Sequence, residues 1–449
     1  MIAASVGLGQ PFGAVGLPYR MTFDSSFVIL ADSGFNHWDL LRAELLAQIP
    51  FSLSTMIYRE KVIAALGSRA ADFAQFDTEV MTQYALYREA LERIGAMSRD
   101  ELLARLKEFD SPGALPTPEF DNAKHMVIPF GAAWNNHEEA RQWAYTTLLG
   151  RTTFAADGSQ ILPSKDFSVP VAAIQVAWFE NSHTPEGAYV KDVAFDVLPP
   201  SEVVSATSPT GVSEPAVHRR RYAAEIEAIQ NYMYRTAERG VDAERPPVVF
   251  FDSLLVISFA DAFAPEERQF YVAEITSLLE ASETTGVPIV GYVDNSFARD
   301  LAVMIHAASG LPESHKVHDA RLIGPRMAWG DRTPMFKCAR RGILEQYGDK
   351  WKDGVGFVYL KTGGEDPPAR LDIPIWVYER GLLDYCVDTV RAEAIVGGGY
   401  PYPIETADAA AVLTMRDRET FYQAFQEFAE VHELRLRIAR KALSKAHRR

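Results

Sequence analysis

Two stretches of this sequence run a series of β-formers into a carboxylate, and that repetition constrains the fold more than any other feature. In 152–180, TTFAADGSQILPSKDFSVPVAAIQVAWFE, the apolar run Phe154-Ala155-Ala156 gives way to Asp157-Gly158-Ser159, and a second apolar run occupies 169–179. The pattern predicts a strand that ends at Asp157, a tight glycine turn and a returning strand. In 247–259, PVVFFDSLLVISF, a second set of β-formers ends in Asp252, followed directly by Ser253. A single Asp-Gly is most often an ordinary hairpin turn. The repetition points instead to a site, because a carboxylate at a strand end is held rigidly yet accessible, as a metal ligand must be.

The rest of the chain supplies the connections. Residues 37–109 are helical in pattern, rich in Ala, Leu, Glu and Arg with few breakers. The turn formers of 111–118 mark a boundary, which divides the chain into a helical N-terminal region, 1–118, and a domain over 119–449. After the paired strands come a third strand at 189–198, a Ser/Thr/Pro-rich loop at 199–215 and a helix at 217–239. The Asp252 strand follows, then a helix at 265–282, a strand at 287–293 and a helix at 296–308. Later strands are expected at 355–361 and 371–377, and closing helices at 381–395, 403–414 and 416–443. The order predicts a mixed α/β sheet flanked by helices, with an added helical N-terminal region.

In a three-stranded meander followed by a crossover helix, the fourth strand can lie parallel to the first and beside it. Asp157 and Asp252 then meet, with Glu225 of the helix facing them. Glu227, two residues on, is a rival that cannot share the same helix face. Converging carboxylates repel unless neutralised, so the cluster implies divalent cations, two of which would activate water and stabilise the leaving oxygen of a phosphodiester. This is the arrangement of the ribonuclease-H-like nucleases.

Composition narrows the setting. The chain has 449 residues, 47% hydrophobic and 23% charged, enough for a sizeable core. No apolar run reaches the ~18 residues that span a bilayer, and residues 1–20 lack a basic segment ahead of their apolar residues, so they read as a floppy leader and the cytoplasm is the expected compartment. Cys338 and Cys386 are too few for a zinc site or a disulfide framework. The net charge of −15 opposes non-specific binding to nucleic acid. Two basic patches, His218-Arg219-Arg220-Arg221 and the C-terminal LRLRIARKALSKAHRR, are the local exceptions.

From Arg151 onward the chain resembles the NurA family of DNA-repair nucleases. The resemblance rests on AADGSQI, RRRYAAEIE, VVFFDSLLVISFA, VPIVGYVDNS, VHDARLI, GDRTPMF, FVYLKT, RLDIPIWV and GYPYPIETADAAAVL, found in this order. It implies a ribonuclease-H-like fold, Mn²⁺-dependent digestion of DNA ends from 5′ to 3′, endonucleolytic cutting of single strands, and a homodimer working with HerA, a hexameric DNA-translocating ATPase. Carried over by position, Asp157, Glu225 and Asp252 would be catalytic and metal-binding, Asp408 a further ligand, and Asp319 a supporting acid.

Three departures from the family pattern stand out. Asp252 is followed by Ser253 with no glycine between them. Asp294-Asn295 occupies a place where members often carry Lys, a role that Arg299 or Arg332 would have to take. Asp408 stands where members commonly have His. The departures keep open a second reading, an inactive nuclease-fold subunit that serves as scaffold for a translocase. A carboxylate-pair glycosidase ranks far behind, since no Trp cluster surrounds these acids in sequence. Asp408, beside Ala407, Ala409 and Ala410 on the second turn of its helix, is expected either to be a buried acid paired with a cation or to bond a backbone turn or face solvent.

Overall fold

The computed structural model describes residues 57–123, 125–205, 208 and 211–437. The expected leader, the start of the expected N-terminal helix (37–56), and most of the C-terminal basic patch lie outside these residues. Two compact units divide between Phe73 and Ala74. The described part of the first carries helix α1 (Arg59–Gly67), which has no buried residue.

The second unit is built on a nine-stranded sheet in the order β1-β7-β8-β9-β6-β5-β2-β3-β4. One end of it is the meander β2 (Thr153–Ile161), β3 (Ala172–Asn181) and the edge strand β4 (Tyr189–Leu198), all antiparallel. Strand β5 (Val248–Phe251) then pairs in parallel with β2, and β6 (Ile289–Val293) in parallel with β5. Three antiparallel strands followed by two parallel ones on the far side of the first are the ribonuclease-H-like arrangement that the sequence predicts. The sheet continues through β9 (Ala369–Pro374), β8 (Val355–Leu360) and β7 (Phe336–Ala339) to β1 (Gly113–Pro116).

Helices close both faces. Helix α2 (Ala70–Gly95) and helix α3 (Arg99–Leu106) precede β1, and α4 (His137–Leu148) precedes β2. Helix α5 (Glu214–Arg239) is capped by Ser213, carries Pro215 in its first turn and packs on β2 and β3. Helix α6 (Pro265–Thr285) packs on α5, and α7 (Asp300–Ser309) on β1. Helix α8 (Leu383–Val396) packs on α4, while α9 (Tyr402–Ala411) lies on β2 and β3, and α10 (Met415–Val431) follows with a capping box at Thr414. Among the described residues no helix is long and apolar enough to cross a membrane.

The strand periodicity assigns the faces. Phe154 stacks on Tyr232 of α5 at 4.0 Å between ring centroids, and Gln160 meets His218 of the same helix at 3.2 Å. Thr153, of opposite parity, donates to Glu393 of α8 at 2.8 Å, and Gln175, paired with Ser159, donates to the end of α9. Residues 153, 155, 157 and 159 therefore face α8 and α9, and the even-numbered residues face α5.

Three expectations change. Strand β2 does not turn at Asp157-Gly158-Ser159 but runs on to Ile161, with Gly158 opposite Val176; the β3 ladder extends the pairing past the glycine. The strand expected at 371–377 stops at Pro374, where Ile375–Glu379 turns helical, while the run after Asp252 coils into a short helical turn at Ser258–Ala262. The expected boundary at 118 falls inside the sheet's unit, since Gly113–Pro116 is hydrogen-bonded to β7.

Candidate functional site

Register brings the two aspartates together. Thr153 pairs with Val248 and Ala155 with Phe250 on adjacent parallel strands; two residues beyond that last pair lie Asp157 in β2 and Asp252 just past the end of β5, near enough for the Asp252 charge to act on Asp157. Both then face α9, which carries Asp408. Asp252 and Asp408 line the same cleft, of about 1040 Å³. Asp157, beside them, is half-buried. Burial, with repulsion from Asp408 and Asp252, pushes its carboxyl up to about 6. Asp252 opens on the cleft, yet the protein around it raises its carboxyl as well, with Asp408 adding to the effect. Tyr400 opposes that rise by donating to Asp252 Oδ1 at 2.8 Å. Asp408 itself is exposed on α9, so of the two expected placements the buried one is corrected and the solvent-facing one holds: its helix packs through Ile404, Ala407 and Ala411.

Glu225 reaches this group from the other side of the sheet. It is 7% exposed and lies against Gly158, whose missing Cβ would stand 2.5 Å from Glu225 Oε1 and 3.0 Å from its Cγ. Glycine is required at 158 because a helix carboxylate occupies the place of its side chain. Arg221, one turn earlier on α5, pairs with Glu225 and donates to the Gly158 carbonyl at 3.2 Å. Burial nevertheless pushes Glu225 up to about 8, with Asp157 and Asp252 adding to the rise. The Arg221 contact favours the charged form and burial the neutral one; burial wins. Glu227 is exposed and points elsewhere, toward Glu274.

The three other expected residues lie away from this group. Asp319 is fully buried, where it accepts from the backbone N–H groups of Leu301 and Ala302 at 2.9 Å each and from the Tyr359 hydroxyl at 3.1 Å. Arg332 is buried and committed to Glu119 and Asp384, 2.7 Å from each. Arg299 serves Glu313, the Ser314 carbonyl and His315. Neither arginine lines the cleft, so neither takes the place of the cation missing at Asp294. The first basic patch is also spent: Arg219 faces Glu267, Arg220 faces Asp196, and Arg221 faces Glu225.

The donor set consists of carboxylate oxygens, which suits hard divalent ions. Asp157, Asp252 and Asp408 make no ion pair among the described residues, and raised carboxyls left in that state fit a cation supplied from outside. Among the described residues, however, no three His, Cys, Asp or Glu side chains are drawn close enough together to hold an ion. The acids are assembled but not closed in.

The NurA domain family matches residues 151–413, more than half of the chain. The chain belongs to the NurA domain family. Asp157, Glu225, Asp252 and Asp408 all fall inside the NurA domain, and membership supports a nuclease. No curated protein matches the chain. Among solved structures it is similar to NurA with manganese, at 10% identity and a TM-score of 0.36, over 60% of this chain and 87% of that one. It is also similar to the catalytic domain of human endonuclease V, at 15% identity and a TM-score of 0.30, over 68% and 93%.

The sequence missed one feature of the site, the aromatic side of the cleft formed by Trp134 and Trp329. Its only signal in sequence is Trp134 in WNNHEEARQW, a segment that reads as part of a helical approach to the first strand; Trp329 lies almost two hundred residues on, in MAWGDR.

Proposed function

We propose that this chain is a metal-dependent DNA nuclease, and that Mn²⁺ is its ion, with Mg²⁺ as a substitute. One observation carries the reading: acids from β2, β5 and α9 gather on one face, with raised carboxyls on both strands and no ion pair among the described residues to neutralise them. Asp157, Asp252 and Asp408 would hold two ions, with Glu225 completing the set through the gap at Gly158. The ions would supply activation of water and stabilisation of the leaving oxygen. Tyr400 holds the Asp252 carboxylate in place through its hydroxyl. Membership of the NurA domain family, in which a structure with manganese is known, supports the choice of ion.

By the same resemblance, the substrate is a DNA end digested from 5′ to 3′ or a single strand cut internally. The chain would work as a homodimer beside a HerA-like hexameric ATPase in the cytoplasm. An acidic cleft favours such tethering, because a partner's local concentration of DNA replaces intrinsic affinity. A second reading, a non-cutting subunit of the translocase, is favoured by Arg221, which holds Glu225 away from any ion. Cleavage of end-labelled DNA with and without Mn²⁺ decides between them, with Asp157→Ala as control. The nuclease reading expects Mn²⁺-dependent products that the variant does not make. No products at any Mn²⁺ concentration would leave the scaffold.

A further inference from the structure

An aromatic wall flanks the candidate acids. Trp134 and Trp329 line the cleft with Asp252 and Asp408, and their ring centroids are 4.9 Å apart. Phe130 stands behind them, 5.8 Å from Trp134 and 5.9 Å from Trp329, and Trp143 lies 5.6 Å from Trp134. The wall is braced rather than loosely packed. The Trp329 indole N–H donates to the Thr362 carbonyl at 2.7 Å. Asp331 accepts from the backbone of Phe130 at 2.9 Å and of Ala328 at 2.8 Å. Gly330, at φ +83°, has the Phe130 ring where a Cβ would be, 2.6 Å away. The Arg391 guanidinium covers the Phe130 ring at 4.6 Å, while its Nε donates to the Gly330 carbonyl at 2.7 Å. These bonds fix the Trp329 indole and the Phe130 ring, against which Trp134 packs, and both indoles remain half-open to the cleft instead of closing into the core.

Charge says what such a wall can hold. The cleft is lined by Asp252, Asp294, Asp366, Glu405 and Asp408, against His137 and Arg141. Phosphates gain little from walls of that sign. The faces of unpaired bases carry no net charge and stack on indoles regardless of sequence. Arg141, on the helix that carries Trp143, makes no ion pair among the described residues and is available to a phosphate. Duplex ends present their bases already stacked, so the wall selects a strand whose bases are free.

We propose that Trp134 and Trp329 are a stacking platform that grips single-stranded nucleic acid by its bases and leads it to the adjoining acids. This rests on the nuclease reading of that cleft and says which side chains hold the strand there. Trp134 precedes residue 151, so the platform is built in part from outside the matched NurA domain.

The test binds a short oligothymidylate to the full chain in chelator, following tryptophan fluorescence and anisotropy, beside the same strand carrying abasic residues. The platform predicts quenching by the oligothymidylate and about tenfold weaker binding of the abasic strand. Trp134→Ala should weaken oligothymidylate binding about tenfold, and Trp134→Phe should restore most of it. Equal binding of the two strands without quenching, or no binding of either, overturns the platform, and neither comparison needs a variant to fold. Mn²⁺-dependent cutting is scored separately. Cutting without base-dependent binding sinks the platform alone, whereas base-dependent binding without cutting sinks the nuclease alone.

Discussion

Two groups of acids sit on the same sheet and are treated in opposite ways. Beside β9 and α7, Asp300 lies between Arg340 and Arg370, and Asp372 accepts from Arg370 Nε at 2.7 Å. Burial alone would raise Asp300, but the two arginines hold it below the usual carboxylate range. Asp372 also accepts from the backbone of Leu255 and Val256, which fixes the turn just after Asp252. Across β5 and β2, Asp157 and Asp252 make no such ion pair among the described residues, and their carboxyls are raised instead. Acids with built-in cations hold the fold; acids without them are poised for a cation from outside. Asp319 belongs with the first group by place, since it joins the α7 backbone to Tyr359.

The largest effect that would break this contrast is on the neutralised side. Arg370→Met should leave Asp300 and Asp372 buried with too few partners and cost about 3–5 kcal/mol, read by denaturant unfolding. On the other side, Asp157→Asn should lower Mn²⁺-dependent cutting about a hundredfold or more while raising the melting temperature of the metal-free protein. A fall in both for Asp157→Asn would make the two groups alike and remove the contrast.

Gly158→Ala is next. Its methyl would meet Glu225 at 2.5 Å, so the helix carboxylate must move, at about 1–3 kcal/mol in stability and with loss of cutting. A smaller effect follows from pH. The folded carboxyls of Asp157 and Glu225 lie above their unfolded values, so these groups favour the metal-free fold at acid pH. That contribution is lost as pH rises through about 6 for Asp157 and about 8 for Glu225. Unfolding measured across this window should show the fall, and Glu225→Gln should flatten its upper half. The smallest effect is expected from Glu227→Gln, within about 0.5 kcal/mol and with normal cutting; a dead Glu227 variant beside a healthy Glu225 variant would exchange their places.

Much of this was legible because the central strands are runs of Val, Ile, Phe and Ala that burial selects on both faces. The β2–β6 core could be ordered from strand and helix succession, and the match between Asp157 and Asp252 follows from equal offsets in parallel partners. Strands β1 and β7 were not legible, being four residues each, with β1 inside a run of turn formers. Parity was hidden too. A glycine in a strand carries no periodic signal, so nothing in DGS said that Gly158 faces α5 and Asp157 faces away. Ion pairs across the fold, such as Arg332 with Glu119 and Asp384, link residues far apart in the chain, which is why Arg332 and Arg299 look free for a phosphate in sequence. The alanine neighbours of Asp408 suggest burial, while α9 turns that residue to the cleft.

The central claim is that the unneutralised acids take a divalent cation, and Mn²⁺ binding to the metal-free protein tests it most directly. Calorimetric titration should show binding that strengthens from about pH 5 to about pH 8 as the carboxyls give up their protons. It should be lost in Asp157→Asn. No Mn²⁺ binding at about pH 8, or binding that Asp157→Asn leaves unchanged, would contradict the account.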